Sequence, residues 1–485
     1  MNHSRKALLE PLTASFIGNS FVKEEASAFR RPIVCPVTSS VIHHVYDSTP
    51  TTIQRGVASA RTAFQSWKLT TGSERRDALL GIASAFRAHI DELSFLEALG
   101  GKTIRDARWD VESTIDYLQY FAGHADKIEG RTFSVNPRFR TFTQREPVGV
   151  TALVTAFNYP LLIAVWKLAP ALACGNTVVI KPPPQTPLST LYMASLASAH
   201  LPPGVLTVLP GGAESSQQIC EHPEIDLISF TGSTQTGAAI GATAARAMKR
   251  VILELGGKNA FVVCPSADLD LAVEGLVDAA FGNAGQNCCA ASRLFLDETI
   301  HDVFMQKLLA RIRKIQIGDN MDERTDLGPL VDERHFENVR QFIERAKQQA
   351  HIQLVAGGSR HGSSGYFVEP TVFQNVDDAD ELGQTEVFGP VLVVMKPFKS
   401  LDEAIARTNG TQYGLTASVW SEKNAEIERF VRRVNVGLVW ANCHNDTPSY
   451  LPFGGQKMSG IGKECGSAAL DQFSATKSVH IRVDV

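Results

Sequence analysis

The sequence predicts an α/β fold with a mostly parallel sheet, and three observations carry that reading. Short β-branched runs alternate with helix-length segments from Gly149 onward, and strands separated by helices of about 10 to 15 residues argue for a parallel sheet with both faces covered. The 485 residues suit about three structural units. A composition of 44% hydrophobic and 20% charged residues is ordinary globular usage, which excludes disorder and fibrous repeats.

Taken in order, Thr51 to Leu99 reads as helical, with Val57, Ala60, Ala63, Phe64 and Trp67 on one face, and Glu112 to His124 as a further helix. Thr132 to Arg145 alternates around Phe133, Val135, Phe139 and Phe142 and reads as a hairpin or extended arm. Then strands over Gly149 to Thr155, Thr177 to Lys181, Leu206 to Leu209, Leu227 to Thr231 and Arg250 to Leu253 are interleaved with helices. Those helices cover Leu161 to Cys174, Pro187 to Ala199, Ser215 to His222 and Thr236 to Ala247. After Gly257 the pattern resumes, with strands over Ala260 to Cys264 and Arg293 to Leu296 and helices over Leu269 to Asn283 and Ile300 to Ile315. Thr476 to Val483 alternates again and is able to pair with the earlier arm.

Forty-seven basic residues against 51 acidic ones leave a net charge of −4, so no electrostatic motive for nucleic-acid binding exists. The eight cysteines form no CxxC pair, which argues against a zinc ribbon and a disulfide scaffold. A reducing, cytoplasmic setting is expected, and no metal. Pro147 to Trp166 is uncharged over a length near that of a membrane span, but Asn158-Tyr159-Pro160 interrupts it, and a strand, a turn and a helix fit better.

Cys288 follows Gly285-Gln286-Asn287 at a junction between helix and strand and is either a small buried apolar side chain or a thiol that backbone N–H groups polarise toward thiolate; Gly285 and Gln286, poor core residues, favour the second. Its neighbour Cys289 is the competing nucleophile. Glu254, between Leu253 and Leu255, is either a solvent-facing edge residue or a buried carboxyl whose pKa rises toward that of a base. Gly460-x-Gly462 has the wrong spacing for a dinucleotide fingerprint. Phe230-Thr231-Gly232-Ser233, joining strand to helix, is the better place for a pyrophosphate.

These residues converge on a family. From about residue 15 to the C-terminus the chain resembles the aldehyde dehydrogenase superfamily. The motifs occur in order: Pro147-Val148-Gly149-Val150, Asn158-Tyr159-Pro160, Leu172-Ala173-Cys174-Gly175-Asn176, Lys181-Pro182, Phe230-Thr231-Gly232-Ser233, Leu253 to Lys258, Gly285 to Cys288, Glu386 to Pro390 and Pro452 to Gly460. The resemblance implies an aldehyde dehydrogenase-like fold with a Rossmann-type dinucleotide-binding domain (1–124 and 148–256), a catalytic domain (257–457) and an oligomerisation arm (125–147 and 471–485). It implies an NAD(P)-dependent oxidation of a small-molecule aldehyde to a carboxylic acid. In it Cys288 is the nucleophile of a thiohemiacetal and thioester, Asn158 the oxyanion donor and Glu254 the base that activates water. Lys181, Ser233, Glu386 and Phe388 match cofactor contacts, and Thr155, Pro184, Phe230, Gly232 and Leu255 complete the expected cofactor site. Tyr159, Leu162, Ile163, Trp166, Asn287, Cys289, His444 and Phe453 are expected to line the substrate channel. NAD is the expected cofactor with NADP admitted, and a homodimer or homotetramer the expected assembly.

The sequence departs from the family pattern at Ala156-Phe157, where Pro-Trp is usual. Pro184 stands where NAD-preferring members often carry Glu, Gln235 where an acid is common, and Tyr450 where several betaine and aminoaldehyde dehydrogenases carry Glu. The alternatives are a CoA-acylating semialdehyde dehydrogenase, which typically lacks the base at the Glu254 position, and a non-enzymatic nucleotide-binding protein on the same fold.

Overall fold

The computed structural model describes residues 3–483. Met1, Asn2, Asp484 and Val485, which the expected boundaries include, lie outside the described residues.

Five parallel strands form the centre of the first sheet. In spatial order they are Leu206–Val208, Thr177–Lys181, Val150–Val154, Leu227–Thr231 and Arg250–Glu254. Numbered along the chain, that order is 3-2-1-4-5, so the winding reverses between Val150–Val154 and Leu227–Thr231. Ligands of doubly wound sheets lie in the crevice at such a point, outside the carboxyl ends of the strands. Helices Pro50–Trp67, Pro160–Ala173, Leu188–Ala197 and Thr234–Arg246 cover the sheet. Val150–Val154 and Thr177–Lys181 are buried at every position, as two-sided cover requires.

A second sheet of seven strands, order Gln353–Ala356, Thr371–Val376, Val391–Met395, Arg293–Leu296, Ala260–Val263, Thr416–Trp420 and Leu438–Ala441, is parallel except at its first pair. It has its own apolar core around Phe261, Phe295, Phe373 and Trp420. A third, antiparallel sheet joins Thr132–Phe133, Phe139–Pro147 and Ser474–Arg482, the last two paired over nine positions from Ser474 opposite Pro147 to Arg482 opposite Phe139.

The expected strands and helices of the first sheet are present within a few residues of their ends. The differences have physical causes. The helical stretch over Thr51 to Leu99 is three helices, Pro50–Trp67, Gly72–Ala88 and Ile90–Ala98. Thr49 caps the first, and Thr71 with Glu74 forms a reciprocal capping box that starts the second. The next helix begins at Ile104, well before Glu112, because Thr103 caps it by accepting from the Asp106 N–H. The helix expected to reach Asn283 stops at Phe281. The hairpin Arg30–Cys35 with Ser40–Tyr46 and the strands between Gln353 and Ile461 were not anticipated, whereas the C-terminal strand Ser474–Arg482 pairs with the arm as expected. Among the described residues no helix is long and apolar enough to cross a membrane, and Pro147 to Trp166 holds the buried strand, turn and helix expected of it.

Candidate functional site

Two cavities meet at Cys288. The larger, about 940 Å³, opens at the carboxyl ends of the first sheet's strands where the winding reverses. The smaller, about 90 Å³, runs along the start of helix Pro160–Ala173. Cys288 and Glu254 line both.

The turn presenting Cys288 is built from left-handed backbone. After Phe281 the chain adopts φ of +51° at Asn283, +55° at Ala284 and +69° at Gly285. Gly285 is required there: a Cβ would sit 2.1 Å from the Gly389 carbonyl oxygen. Asn283 donates from Nδ2 to the carbonyls of Asn158 (3.0 Å) and Gln286 (3.2 Å), so the turn is tied to the segment that carries Asn158. Buried Gln286 accepts from the Val331 N–H at 3.0 Å and donates to Asn283 at 3.1 Å, which explains a glutamine at a core position. Asn259 Nδ2 donates to the Cys288 carbonyl at 2.7 Å. Cys288 is half-buried, whereas Cys289 is only 4% exposed, and burial pushes its thiol well above the ordinary range. The two Sγ atoms are 4.0 Å apart.

Asn158 is buried, and its Oδ1 has no partner among the described residues. Glu254 ends strand Arg250–Glu254 and is 3% exposed, with both carboxylate oxygens buried and unpartnered. Of the two readings open for it, the buried one holds. Burial first, and the neighbouring Glu464 carboxylate second, raise it well above the usual carboxylate range, while Lys167 and Lys463 oppose. Two glycines make room for it. A Cβ at Gly454 would stand 2.6 Å from Glu254 Oε1, and one at Gly460 would stand 2.1 Å from the Leu253 carbonyl. Gly460, the first glycine of the run set aside as a phosphate loop, belongs instead to a short antiparallel strand beside Glu254.

Every residue expected at the cofactor lines the larger cavity: Thr155, Lys181, Pro184, Phe230, Gly232, Ser233, Leu255, Glu386 and Phe388. Gly232 and Gly237 keep the floor low, since Cβ atoms there would meet the Phe230 ring at 2.5 Å and Leu255 at 2.3 Å. Ser233 caps helix Thr234–Arg246, accepting from the Thr236 N–H at 3.3 Å. Lys181 is buried and lowered to about 8, by burial first and by Arg31 next, and donates to the Gly211 carbonyl at 3.3 Å. Glu386 accepts from the Gly257 N–H at 3.0 Å and is raised by burial to about 7. Thr155 and Thr231 each hold a buried hydroxyl without a partner.

The smaller cavity is lined by Tyr159, Leu162, Ile163, Trp166, Asn287, Cys289 and Phe453, as expected. His444 is not among the lining residues. Left-handed backbone at Asn442 (φ +54°) and Asn445 (φ +60°) turns the loop so that His444 packs behind Cys289. There its Nε2–H donates to the Cys289 carbonyl at 2.8 Å and its Nδ1 accepts from Ser418 Oγ at 3.0 Å. Asn445 takes the lining place and accepts from Asn287 Nδ2 at 3.2 Å.

Trp109, Thr447 and Glu464 also line this cavity and were missed. Glu464 belongs to a buried set with Lys167 and Ser229: Lys167 Nζ donates to the Glu464 carboxylate and, at 3.0 Å, to Ser229 Oγ. A signal existed, because Lys167 is the single charge in an otherwise apolar helix and a buried ammonium demands a partner. Its carboxylate lies almost 300 positions away, and nothing local points to it.

The floor made by glycines, the free hydroxyls of Thr155 and Thr231, and the cavity size suit a dinucleotide. The comparisons agree. The model of the aldehyde dehydrogenase family matches residues 21–479. Mouse cytosolic aldehyde dehydrogenase 1 is 41% identical over 97% of this chain and 95% of its own. Human retinaldehyde dehydrogenase 3 is 40% identical over 97% of this chain and 93% of its own. Among solved structures, an NAD+ complex of a Bacillus cereus aldehyde dehydrogenase superposes with a TM-score of 0.97 at 37% identity, covering 100% of this chain and 99% of that one. With the turn that carries Cys288, the buried carboxyl and the crevice at the winding reversal in one place, the chain belongs to the aldehyde dehydrogenase family and is an NAD(P)-dependent enzyme of aldehyde oxidation.

Proposed function

We propose that this enzyme is a hydrolytic dehydrogenase of apolar aldehydes that works through Cys288, with NAD preferred and NADP admitted. The observation that carries the reading is the meeting of both cavities at the half-buried Cys288 thiol, opposite a buried Glu254 whose carboxylate has no other partner.

In this mechanism the aldehyde enters along Tyr159, Leu162, Ile163, Trp166 and Phe453 and meets the Cys288 thiolate. Attack forms a carbon–sulfur bond and leaves an oxyanion, which the Asn158 side chain and the Cys288 backbone N–H hold. Lys181, Gly232, Ser233, Glu386 and Phe388 would hold NAD(P), which when bound would supply the acceptor for the hydride lost from the thiohemiacetal carbon. The product on Cys288 is a thioester. Glu254 takes a proton from water, which adds to the thioester carbonyl and releases the carboxylic acid and the thiol. The unpartnered, buried carboxyl of Glu254 supports hydrolysis over transfer to CoA.

Pro184, on the adenosine side of the large cavity, neither accepts from ribose hydroxyls nor repels a 2′-phosphate, and buried Lys181 stands nearby. No Lys, Arg or His lines the small cavity, and four aromatic rings do, which favours apolar aldehydes over carboxylate-bearing semialdehydes. The first sheet, the second sheet and the antiparallel arm support a division into cofactor, catalytic and oligomerisation units near the expected boundaries. The exposed apolar residues Phe133, Val135 and Ile481 on that arm favour a dimer or tetramer.

An assay of reduced-cofactor formation on straight-chain, aromatic and carboxylate-bearing aldehydes, with NAD and NADP side by side, tests this. Apolar aldehydes should be oxidised best and NADP used measurably. Cys288→Ala should lose at least about a thousandfold in kcat while still binding NAD, and Cys289→Ala should stay within about tenfold of the parent. An active Cys288→Ala protein with a dead Cys289→Ala protein reverses the assignment.

A further inference from the structure

Behind the wall of the small cavity lies a buried charged cluster that no step above uses. Lys102 sits in the loop between helices Ile90–Ala98 and Ile104–Ala122. It is 5% exposed, and its ammonium donates to the Asp110 carboxylate. The same ammonium lies 3.7 Å from the centroid of the Tyr159 ring. Glu97, also buried, accepts from the Leu161 N–H at 3.2 Å. Glu97 therefore reaches the short segment Asn158-Tyr159-Pro160-Leu161 through its backbone, and Asp110 reaches it through Lys102, whose ammonium faces the Tyr159 ring.

The cluster is costly. One oxygen of Glu97 and one of Asp110 are buried without partners, and a single ammonium faces two carboxyl groups. Burial raises both acids, Asp110 to about 7. A lysine kept in such a place for stability alone gains little over an apolar residue of similar size. What it does uniquely is geometric. A cation over an aromatic face fixes the ring by its quadrupole, and Tyr159 is both a wall of the aldehyde cavity and the residue after Asn158.

The loop is itself anchored from the second unit. Asn320 Nδ2 donates to the carbonyls of Ala98 (2.6 Å) and Lys102 (2.7 Å), and the Ile104 N–H donates to the Asn320 carbonyl at 2.8 Å. Gly101, at φ +103°, passes so close that a Cβ would lie 2.9 Å from the Pro329 carbonyl. The ammonium is thus held at a set height above the Tyr159 ring from two directions.

We propose that Lys102 is a positioning residue for aldehyde selection: anchored by Asp110, it holds the Tyr159 ring in place as the cavity wall and steadies the peptide that carries Asn158. The proposal rests on the assignment of the small cavity to the aldehyde. That assignment is checked first, by wild-type oxidation and its loss in Cys288→Ala. The Lys102 variants are then scored by a ratio that this loss does not touch: kcat/KM for a short linear aldehyde over that for a benzaldehyde-type one.

Lys102→Met keeps chain length and removes the charge. It should change that ratio roughly tenfold and raise the aldehyde KM, because a wall moved by about an ångström is felt at the reacting carbon, while NAD affinity stays within about twofold. In a Tyr159→Leu background, Lys102→Met should add no further change to the ratio, since the ring through which it acts is gone. Additive effects there, or an unchanged ratio in folded Lys102→Met protein, overturn the proposal. Should Lys102→Met fail to fold, Asp110→Asn, which keeps the ammonium and weakens its anchor, must shift the ratio in the direction that Tyr159→Leu does. A folded Asp110→Asn enzyme with the parent's ratio overturns it equally.

Discussion

Glu254 shows how one carboxyl acquires a role from its surroundings. It follows four strand residues and is sealed by Gly454, Gly460 and the Lys167–Glu464 pair, so neither oxygen finds a donor. A base that is raised in the folded protein becomes a carboxylate only as pH rises through its pKa, so hydrolysis of the thioester should accelerate with pH. Glu254→Gln should keep a burst of reduced cofactor near one equivalent per active site and then turn over at least about a hundredfold more slowly. The variant should also lose the alkaline rise of the steady-state rate. Stopped-flow traces without a burst, alongside undiminished steady-state turnover, would remove Glu254 from the chemistry. Cys288 and Cys289 illustrate the same dependence. Adjacent in sequence and alike in chemistry, they differ because one thiol is half-buried where two cavities meet and the other, which lines only the smaller cavity, is almost wholly buried.

At the scale of the element, the loop that follows strand Leu438–Ala441 sets which side chain lines the small cavity. His444 was expected in the channel and instead braces Cys289 from behind, packed between Trp440 and Phe261 at centroid distances of 4.6 and 5.9 Å. Burial lowers it from 6.5 to about 4. The unfolded chain therefore binds the extra proton first. The stabilising contribution of neutral His444 is complete above about pH 6.5 and is lost as pH falls from there toward 4, at up to about 1.4 kcal/mol per pH unit. Denaturant titrations of the parent and of His444→Gln between pH 7 and 4.5 should show the parent losing stability more steeply. Because the other histidines remain in both proteins, only the difference between the curves counts. Parallel curves would mean that His444 gains its proton without penalty. The nucleophile turn makes the complementary point. Its three left-handed residues end a helix that apolar periodicity alone would have continued, since Gly285 must pass against the Gly389 carbonyl.

At the scale of the whole molecule, the arm places the two ends of the catalytic core together: Phe139–Pro147 leads into the first sheet's central strand, and Ser474–Arg482 pairs with it. On the proposed reading of the arm as the oligomerisation unit, removing residues 476–483 should leave a monomer in analytical ultracentrifugation, with the secondary structure retained. A truncated protein that sediments like the parent would place the interface elsewhere. The sequence by itself determined the parallel winding of the first sheet, because two-sided burial leaves continuous apolar strands punctuated by turns. It also determined Cys288, Glu254 and Asn158 as candidates, through motifs whose residue types the chemistry demands. Part of the second sheet was not legible, since Val391–Met395 and Leu438–Ala441 are short, wholly apolar runs with no polar alternation to distinguish them from helix interiors. Tertiary structure alone decided that Asn445 and not His444 lines the small cavity, and that Glu464 closes on Lys167 from almost 300 residues away. It likewise decided that Lys102 lies over the Tyr159 ring. Each of these depends on where a loop with left-handed backbone aims its side chains, or on a charge meeting its partner across the core. Local periodicity carries neither kind of information, because the partner that satisfies a buried polar group is chosen by the packing of distant segments.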